Sequence, residues 1–232
     1  PMFELSLERY LSEVKTYIAY DRQIEEFNQR HGSVHPIHIN SSQSTLDENQ
    51  SKRYFAYIDS LSAGIHNAAN EHAAAPLLMQ RAVAYTVIQN FESAIEDLTA
   101  YLQADSTYAP AYWQRAVCQS KINEFNASQG TDVAMKTANV LGDLSEAIKY
   151  NAHNAYLYYN RGNVYAARKD YNHAIEDYTR ALALDKNLAE AYYNRGLVYV
   201  GSGKTAEGIQ DLSKAGELGL YTAYSVIKKQ RK

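Results

Sequence analysis

Four arginines recur along this chain at repeating intervals: Arg81, Arg115, Arg161 and Arg195 stand 34, 46 and 34 residues apart. A small residue follows each one, in Arg81-Ala82, Arg115-Ala116, Arg161-Gly162 and Arg195-Gly196. A column of aspartates, Asp97, Asp143, Asp177 and Asp211, lies 16 residues after its arginine in three cases and 28 in the second. The two columns locate one anomaly, since 46 − 34 and 28 − 16 both give twelve: the second unit carries a twelve-residue insertion. A period in this range demands a stacked array, because a unit of that length cannot bury its apolar face alone and must lay it against a neighbour.

The arginine register sets four units, 75–108, 109–154, 155–188 and 189–222. In the third, Tyr158, Arg161, Gly162 and Tyr165 fall at helical spacing, as do Ala174, Ile175, Tyr178, Ala181 and Leu182, with a polar break at Arg168-Lys169-Asp170 between them. The fourth repeats this with Tyr192, Gly196 and Tyr199, a Gly201-Ser202-Gly203 turn, then Ile209, Leu212 and Ala215. Pro76 and Pro110 are expected at the starts of first helices, where a missing N–H costs nothing. Each unit reads as a hairpin of two amphipathic helices. The small residue after each arginine lets the two helices approach closely. The arginines and aspartates lie on opposite helices, so the pairs Arg81–Asp97, Arg115–Asp143, Arg161–Asp177 and Arg195–Asp211 are read as structural ion pairs.

This pattern resembles the tetratricopeptide (TPR) repeat family over about 75–222. Counted within a 34-residue unit, the family's small residue at position 8 matches Ala82, Ala116, Gly162 and Gly196. Its tyrosine at position 11 matches Tyr85, Tyr165 and Tyr199, with Gln119 departing. Its alanine at position 20 matches Ala94 and Ala174 against Val140 and Gly208, and that at position 27 matches Ala147, Ala181 and Ala215 against Tyr101. The usual tryptophan at position 4 is Leu78, Tyr112, Tyr158 and Tyr192, and the usual proline at 32 is missing throughout. The resemblance implies an all-α fold, a right-handed α-α superhelix. The whole also looks like the C-terminal part of larger bacterial TPR proteins, so that further domains of a parent protein are expected N-terminal to it; the start at Pro1 is read in the same sense.

The flanks are read as covers for the array's ends. Residues 1–74 are expected to form an N-terminal helical hairpin: a stripe of Leu7, Tyr10, Leu11, Val14, Ile18, Ile24 and Phe27, a His/Ser-rich loop at about 31–46 with a short strand at Val34–Ile39, and a helix at about 47–72 carrying Tyr54, Ile58, Leu61 and Ile65. Residues 223–232 are expected to form a capping helix, with Tyr221, Tyr224, Val226 and Ile227 covering the last unit and Lys228, Lys229, Arg231 and Lys232 giving it a wet face. The insertion is placed near Asn126–Thr137, its Ser128-Gln129-Gly130-Thr131-Asp132 core a loop and Asp132 a cap for the next helix. It is a tolerated extension or a partner-contacting element.

Catalytic chemistry finds no foothold. Gly201-Ser202-Gly203-Lys204-Thr205 ends like a phosphate-binding loop, but the glycine that the motif needs five residues before Gly203 is Val198, and a helix rather than a strand leads in. His31, His35 and His38 have loosely ligand-like spacing without a cysteine or near carboxylate to complete a tetrahedral set. The remaining histidines and the serines form no triad-like setting, and the sequons at Asn40 and Asn126 are weak patterns. The reading is therefore a non-enzyme with neither metal nor cofactor. A net charge of −3 gives no reason to expect nucleic acid or an anionic membrane. No apolar run approaches the roughly 20 residues of a bilayer span, so membrane insertion by this chain is not expected. Cys118 is the only cysteine and cannot form an intrachain disulfide. No signal-peptide pattern opens the sequence, and compartment is left unassigned.

By resemblance, TPR arrays hold protein partners on the inner face of their first helices, through positions 2, 5, 6, 9, 12 and 13. Position 5 reads Met79, Trp113, Tyr159 and Tyr193; position 6 reads Gln80, Gln114, Asn160 and Asn194; position 9 reads Val83, Val117, Asn163 and Leu197. Among the six positions in each of four units, only Lys121 and Glu190 carry charge. An amide both donates and accepts, so such a column could pair with the backbone of an extended, largely uncharged peptide flanked by aromatic rings. Members that grip a terminal carboxylate carry lysines in this face; here Tyr159 replaces the first, so that mode is not expected. Two readings stand: a peptide-binding groove, or a scaffold whose face is taken up by packing or by the chain's own segments.

Overall fold

The computed structural model describes residues 46–130 and 134–230, with the side chains of 134–138 left aside. Among these residues there are ten helices: α1 (Glu48–His66), α2 (Glu71–Val87), α3 (Phe91–Ala104), α4 (Ala109–Ser128), α5 (Ala134–Tyr150), α6 (Ala155–Ala167), α7 (Tyr171–Leu184), α8 (Ala189–Gly201), α9 (Thr205–Glu217) and α10 (Thr222–Gln230). They fall into two compact bodies, α1–α5 and α6–α10. Within each body, helices adjacent in sequence pack on one another, with the contacts of α2 on α3, α4 on α5, α6 on α7 and α8 on α9 the most extensive. This is the all-α packing of helix-turn-helix repeats that the period demands.

Local chemistry explains the turns. Asn90 and Asp170 cap α3 and α7 by accepting the backbone N–H of Ser93 and His173. Gln89 and Lys169, just before these caps, take a positive φ, and Gly203 does so before α9. The three connections thus share one backbone solution, and only in the last is the residue a glycine. The Gly201–Thr205 segment is accordingly a helix-to-helix turn.

Close approach inside the hairpins is set by the small column. A Cβ on Gly162 would lie 2.8 Å from the Tyr178 ring, and one on Gly196 would lie 3.0 Å from the Gly208 carbonyl oxygen and 2.9 Å from Leu212 Cγ. In the fourth unit the helices therefore meet backbone to backbone, which is why position 20 is Gly208 rather than alanine: a Cβ there would sit 2.8 Å from the Gly196 carbonyl oxygen. Around these contacts Ala94, Leu98, Leu144, Ala147, Ala174, Tyr178, Ala181, Leu212 and Ala215 are fully buried.

The insertion placed near 126–137 lengthens both helices more than their connection; of the loop expected at 128–132, Ser128 is the last residue of α4, Gln129 and Gly130 form a turn, and Thr131 and Asp132 lie outside the described residues. In unit three the first helix ends six residues after Arg161; α4 ends 13 after Arg115, a gain of seven. Asp177 is residue 7 of α7 and Asp143 residue 10 of α5, a gain of three. The connection lengthens from three residues (168–170) to five (129–133), a gain of two, and 7 + 3 + 2 recovers the twelve. Lys121 and Glu124 are good helix formers, and α4 continues through Asn126–Ser128. Asp132, read as a cap, lies outside the described residues.

Two further expectations are corrected at the N-terminal end. The single helix expected over 47–72 is broken: α1 ends at His66, Asn67 closes it, and Asn70 caps α2 by accepting the N–H of Ala73. Consequently α2 starts at Glu71 and Pro76 lies inside it, where its ring costs one backbone hydrogen bond; Pro110 does sit in the first turn of α4. The stripe at 7–27, the loop at 31–46 and the strand at 34–39 lie outside the described residues.

At the other end, α10 starts in the same way as α8. Ala191 N–H donates to Leu188 O, Ala223 N–H donates to Leu220 O, and both alanines are fully buried. Counting seven and eight from each leucine gives Arg195 and Gly196 in α8 but Ile227 and Lys228 in α10. Ile227 is buried with Tyr193, Leu212 and Ala215, an apolar contact where a repeat would place its arginine; Val226 is half-buried beside it, but Tyr221 and Tyr224, expected to cover the same unit, are exposed because they fall away from the Ala223–Ile227 side of α10.

A Cβ added to Gly142, in α5, would meet nothing within 4 Å, unlike one on Gly196. Replacing a helical glycine by alanine gains roughly 1 kcal/mol, whereas overpacking costs about 1–3 kcal/mol. Gly142→Ala should therefore raise the urea midpoint and Gly196→Ala should lower it.

Candidate functional site

The arginine and aspartate columns meet as two-pronged ion pairs. Arg81 Nε and Nη2 donate to Asp97 Oδ2 and Oδ1 at 2.8 and 2.7 Å; Arg115 does the same to Asp143 at 2.8 and 2.7 Å. In the other body Arg161 grips Asp177 at 2.7 and 2.8 Å, and Arg195 grips Asp211 at 2.6 and 2.8 Å. The planar guanidinium matches the carboxylate fork, a geometry that lysine cannot offer. The aspartates are nearly sealed while the guanidiniums keep 16–21% of their side-chain surface. Burial outweighs the attraction of Arg161 and holds the Asp177 carboxyl above its ordinary value. Acidification through that range therefore relieves a desolvation cost at Asp177 and removes no stability contributed by its ionisation.

The third guanidinium nitrogen reaches out of the hairpin. Arg81 Nη1 donates to Ser62 Oγ of α1 at 2.9 Å, Arg115 Nη1 to Thr99 Oγ1 of α3 at 3.1 Å, and Arg195 Nη1 to Thr179 Oγ1 of α7 at 2.9 Å. Each hydroxyl in turn donates to the carbonyl four residues back, Ile58, Ile95 or Ile175. One arginine thus fastens its own hairpin and ties it to the preceding helix. The sequence carried this signal as a third column two residues after each aspartate: Thr99, Ser145, Thr179 and Ser213.

Tyrosine supplies the flanks of the arginines. Arg161 lies 6.0 Å from the rings of both Tyr158 and Tyr165, and Arg195 lies 5.8 Å from Tyr192 and Tyr199. Arg81 keeps only the following ring, Tyr85, and Arg115 only the preceding one, Tyr112, because Gln119 stands where the following tyrosine would be. Rings three before and four after an arginine share its helical face, so part of the chain's tyrosine richness reflects this cation–π flanking.

The twelve residues singled out on the first helices are mostly buried: Met79, Val83, Trp113, Gln114, Val117, Tyr159, Asn160, Asn163, Tyr193 and Asn194, with Gln80 and Leu197 half-buried. The amide column is engaged inside the fold. Gln80 Oε1 accepts from the Tyr57 hydroxyl of α1 at 2.8 Å, and Gln114 Nε2 donates to Thr86 Oγ1 of α2 at 3.2 Å. Asn160 Nδ2 donates to the Tyr156 carbonyl at 2.7 Å. Asn194 Nδ2 donates to Asn163 Oδ1 of α6 at 2.9 Å, and the Tyr178 hydroxyl donates to that same oxygen at 2.8 Å. In three of the four units the amide thus reaches the preceding helix or hairpin. Within each body these bonds form a polar seam about 100° around the first helices from the arginines, since amide and arginine are adjacent residues.

Cys118 lies in the same seam, its Sγ 3.4 Å from Thr86 Oγ1. Burial pushes its thiol up to about 12, which leaves it protonated and unreactive. No group of three or more metal-ligating side chains occurs among the described residues. No described helix is long and apolar enough to cross a membrane.

The TPR repeat pattern matches residues 162–203, and a second tetratricopeptide repeat pattern matches 189–218. Comparison with curated proteins finds no sequence match. Among solved structures, a crystal structure of MamA is 25% identical, superposes with a TM-score of 0.60, and spans 78% of this chain and 99% of its own. MamA 41-end from Desulfovibrio magneticus RS-1 is 17% identical with a TM-score of 0.59, over 85% and 92% of the two chains. A MamA RS-1 double mutant is 16% identical with a TM-score of 0.61, over 87% and 93%. The latter two show the shared fold alone.

Thr179→Val removes the acceptor of Arg195 Nη1 and should cost about 1 kcal/mol. Asp177→Ala strands a half-sheltered guanidinium and should cost more, about 2–4 kcal/mol, below the figure for a fully buried pair because Arg161 retains water. Denaturant titration checks the order. Ellman's reagent should leave Cys118 unmodified in the native protein and label it fully in denaturant. Residues 162–218 thus match tetratricopeptide repeat patterns, and the helices are arranged like those of MamA across most of the chain.

Proposed function

We propose that the chain is a non-enzymatic protein-interaction module that takes an extended, largely uncharged protein segment along its first helices. Each body contributes its own stretch of that face. In one it is Met79, Gln80, Val83, Trp113, Gln114 and Val117; in the other it is Tyr159, Asn160, Asn163, Tyr193, Asn194 and Leu197. TPR folds generally mediate protein–protein contacts. The observation that carries the finer reading is the uncharged face: an apolar-to-aromatic residue in every unit, beside amides already held by hydrogen bonds to neighbouring helices. The bound amides keep the helices in register, and the apolar column supplies the contact. Because Trp113 is fully buried, engaging this face has to change its surroundings.

A second reading, a structural segment of a longer TPR protein with no groove ligand of its own, is favoured by the same closure. Asn160, Asn163 and Asn194 keep no exposed surface, and a residue committed in this way meets a ligand only by breaking a bond it already has.

Trp113 is the only tryptophan and separates the two. Uncharged extended peptides selected from a displayed library should shift its emission when they bind. Leu197→Arg or Gln80→Arg, at half-buried positions, should weaken binding about tenfold or more while the thermal melt is kept. Peptides that bind with no change in Trp113 emission and equally to both variants would leave only the structural reading.

A further inference from the structure

The near-even charge of the whole chain hides a local imbalance. After Glu217 there is no acidic residue, and the last fifteen positions hold Lys228, Lys229, Arg231 and Lys232; the other residues then carry 19 positive and 26 negative charges. A net of −3 is therefore about +4 at one end and −7 elsewhere. Arg231 and Lys232 lie outside the described residues, but α10 presents the first two lysines in a defined setting.

At 100° per residue, Ala223 and Ile227 point into the body, where both are buried. The opposite arc carries, in order around the helix, Tyr224, Lys228, Ser225 and Lys229, and Tyr221 stands in the turn that leads into it, all of them exposed. Tyr221 keeps 73% of its surface and Tyr224 keeps 48%, the latter with its ring lying over Gly216. Two exposed phenol rings thus share a face with two lysines that form no ion pair among the described residues. Glu217, the last carboxylate of α9 in sequence, is held by Lys214 at 3.0 Å.

We propose that this face of α10 is a docking surface for an anionic lipid bilayer, independent of the first-helix face. Tyrosine, with its flat apolar body and polar tip, partitions to the headgroup level, and lysines gain from a negatively charged leaflet. The combination supplies the two weak signals that reversible surface attachment needs. A folded protein partner fits less well: a stable interface takes about 800 Å² from each side, more than one exposed arc of a nine-residue helix offers. A membrane presents diffuse charge and requires no matching shape. Because α10 is already folded against α9, attachment carries no cost of ordering a disordered segment.

The test is co-sedimentation of the full chain with phosphatidylcholine vesicles, with and without phosphatidylserine. The chain should pellet with the anionic vesicles only, and release at about 0.5 M salt, where screening is nearly complete. Lys228→Gln with Lys229→Gln should weaken capture on the order of tenfold, and Tyr221→Ala several-fold, both with unchanged thermal melts because the side chains are exposed. Failure to pellet, equal capture by neutral vesicles, or capture indifferent to the lysine substitutions overturns the proposal. So does binding to polyglutamate or duplex DNA that equals vesicle binding and ignores Tyr221→Ala, which would assign the face to an acidic polymer instead.

Discussion

The guanidinium fork is the interaction on which the rest of this structure depends. Its two inner nitrogens close a hairpin on an aspartate, and where its outer nitrogen is seen it takes a hydroxyl on the preceding helix. The arginine must be long enough to cross between helices, planar enough to match a carboxylate, and charged at any accessible pH. The residue after it must be small so that the helices come within its reach, and tyrosines flank it because they fall on its helical face. Much of each repeat's composition follows from one side chain.

Electrostatics alone does not make these pairs strong. They are half-sheltered, and at Asp177 burial outweighs the nearby positive charge. What they provide is geometry: a fork with directional bonds to two partners admits one register, whereas apolar surfaces would tolerate several. Buried polar bonds work in the same way about a quarter-turn around the first helices, Gln114 to Thr86 in one body and Asn194 and Tyr178 to Asn163 in the other. Around these polar contacts the alanines, the leucines and the ring of Tyr178 supply the apolar burial that drives folding.

The period made the hairpins legible, and the two columns located the insertion to the unit, because twelve extra positions shift both by the same amount. Its conformation was legible in part: Gln129 and Gly130 turn as the Ser-Gln-Gly-Thr-Asp run suggests, but α4 runs on through Asn126–Ser128, where nothing in that run points to helix. The break at Asn67–Asn70 was hidden because Ala68 and Ala69 favour helix, while the decisive signal was a capping asparagine. On the first helices, spacing identified which residues share a face but not what already occupies their polar atoms. An amide that reads as a ligand contact in one dimension can be spent on the neighbouring unit in three. The Ser/Thr column was present in the sequence and carried the inter-unit contact, two residues from the aspartates that drew attention.

The end helix bears on how such an array can change length over time. Because α10 begins like a first helix yet presents Ile227 and Lys228 where arginine and glycine would stand, it has neither the fork to grip a second helix nor the gap to admit one. Duplicated repeats can enter upstream of it, where each new unit finds a hydroxyl below and offers one above. Beyond it, growth would first require the arginine–glycine pair to be restored. A helix of this kind thus favours duplication on its N-terminal side over duplication on its C-terminal side.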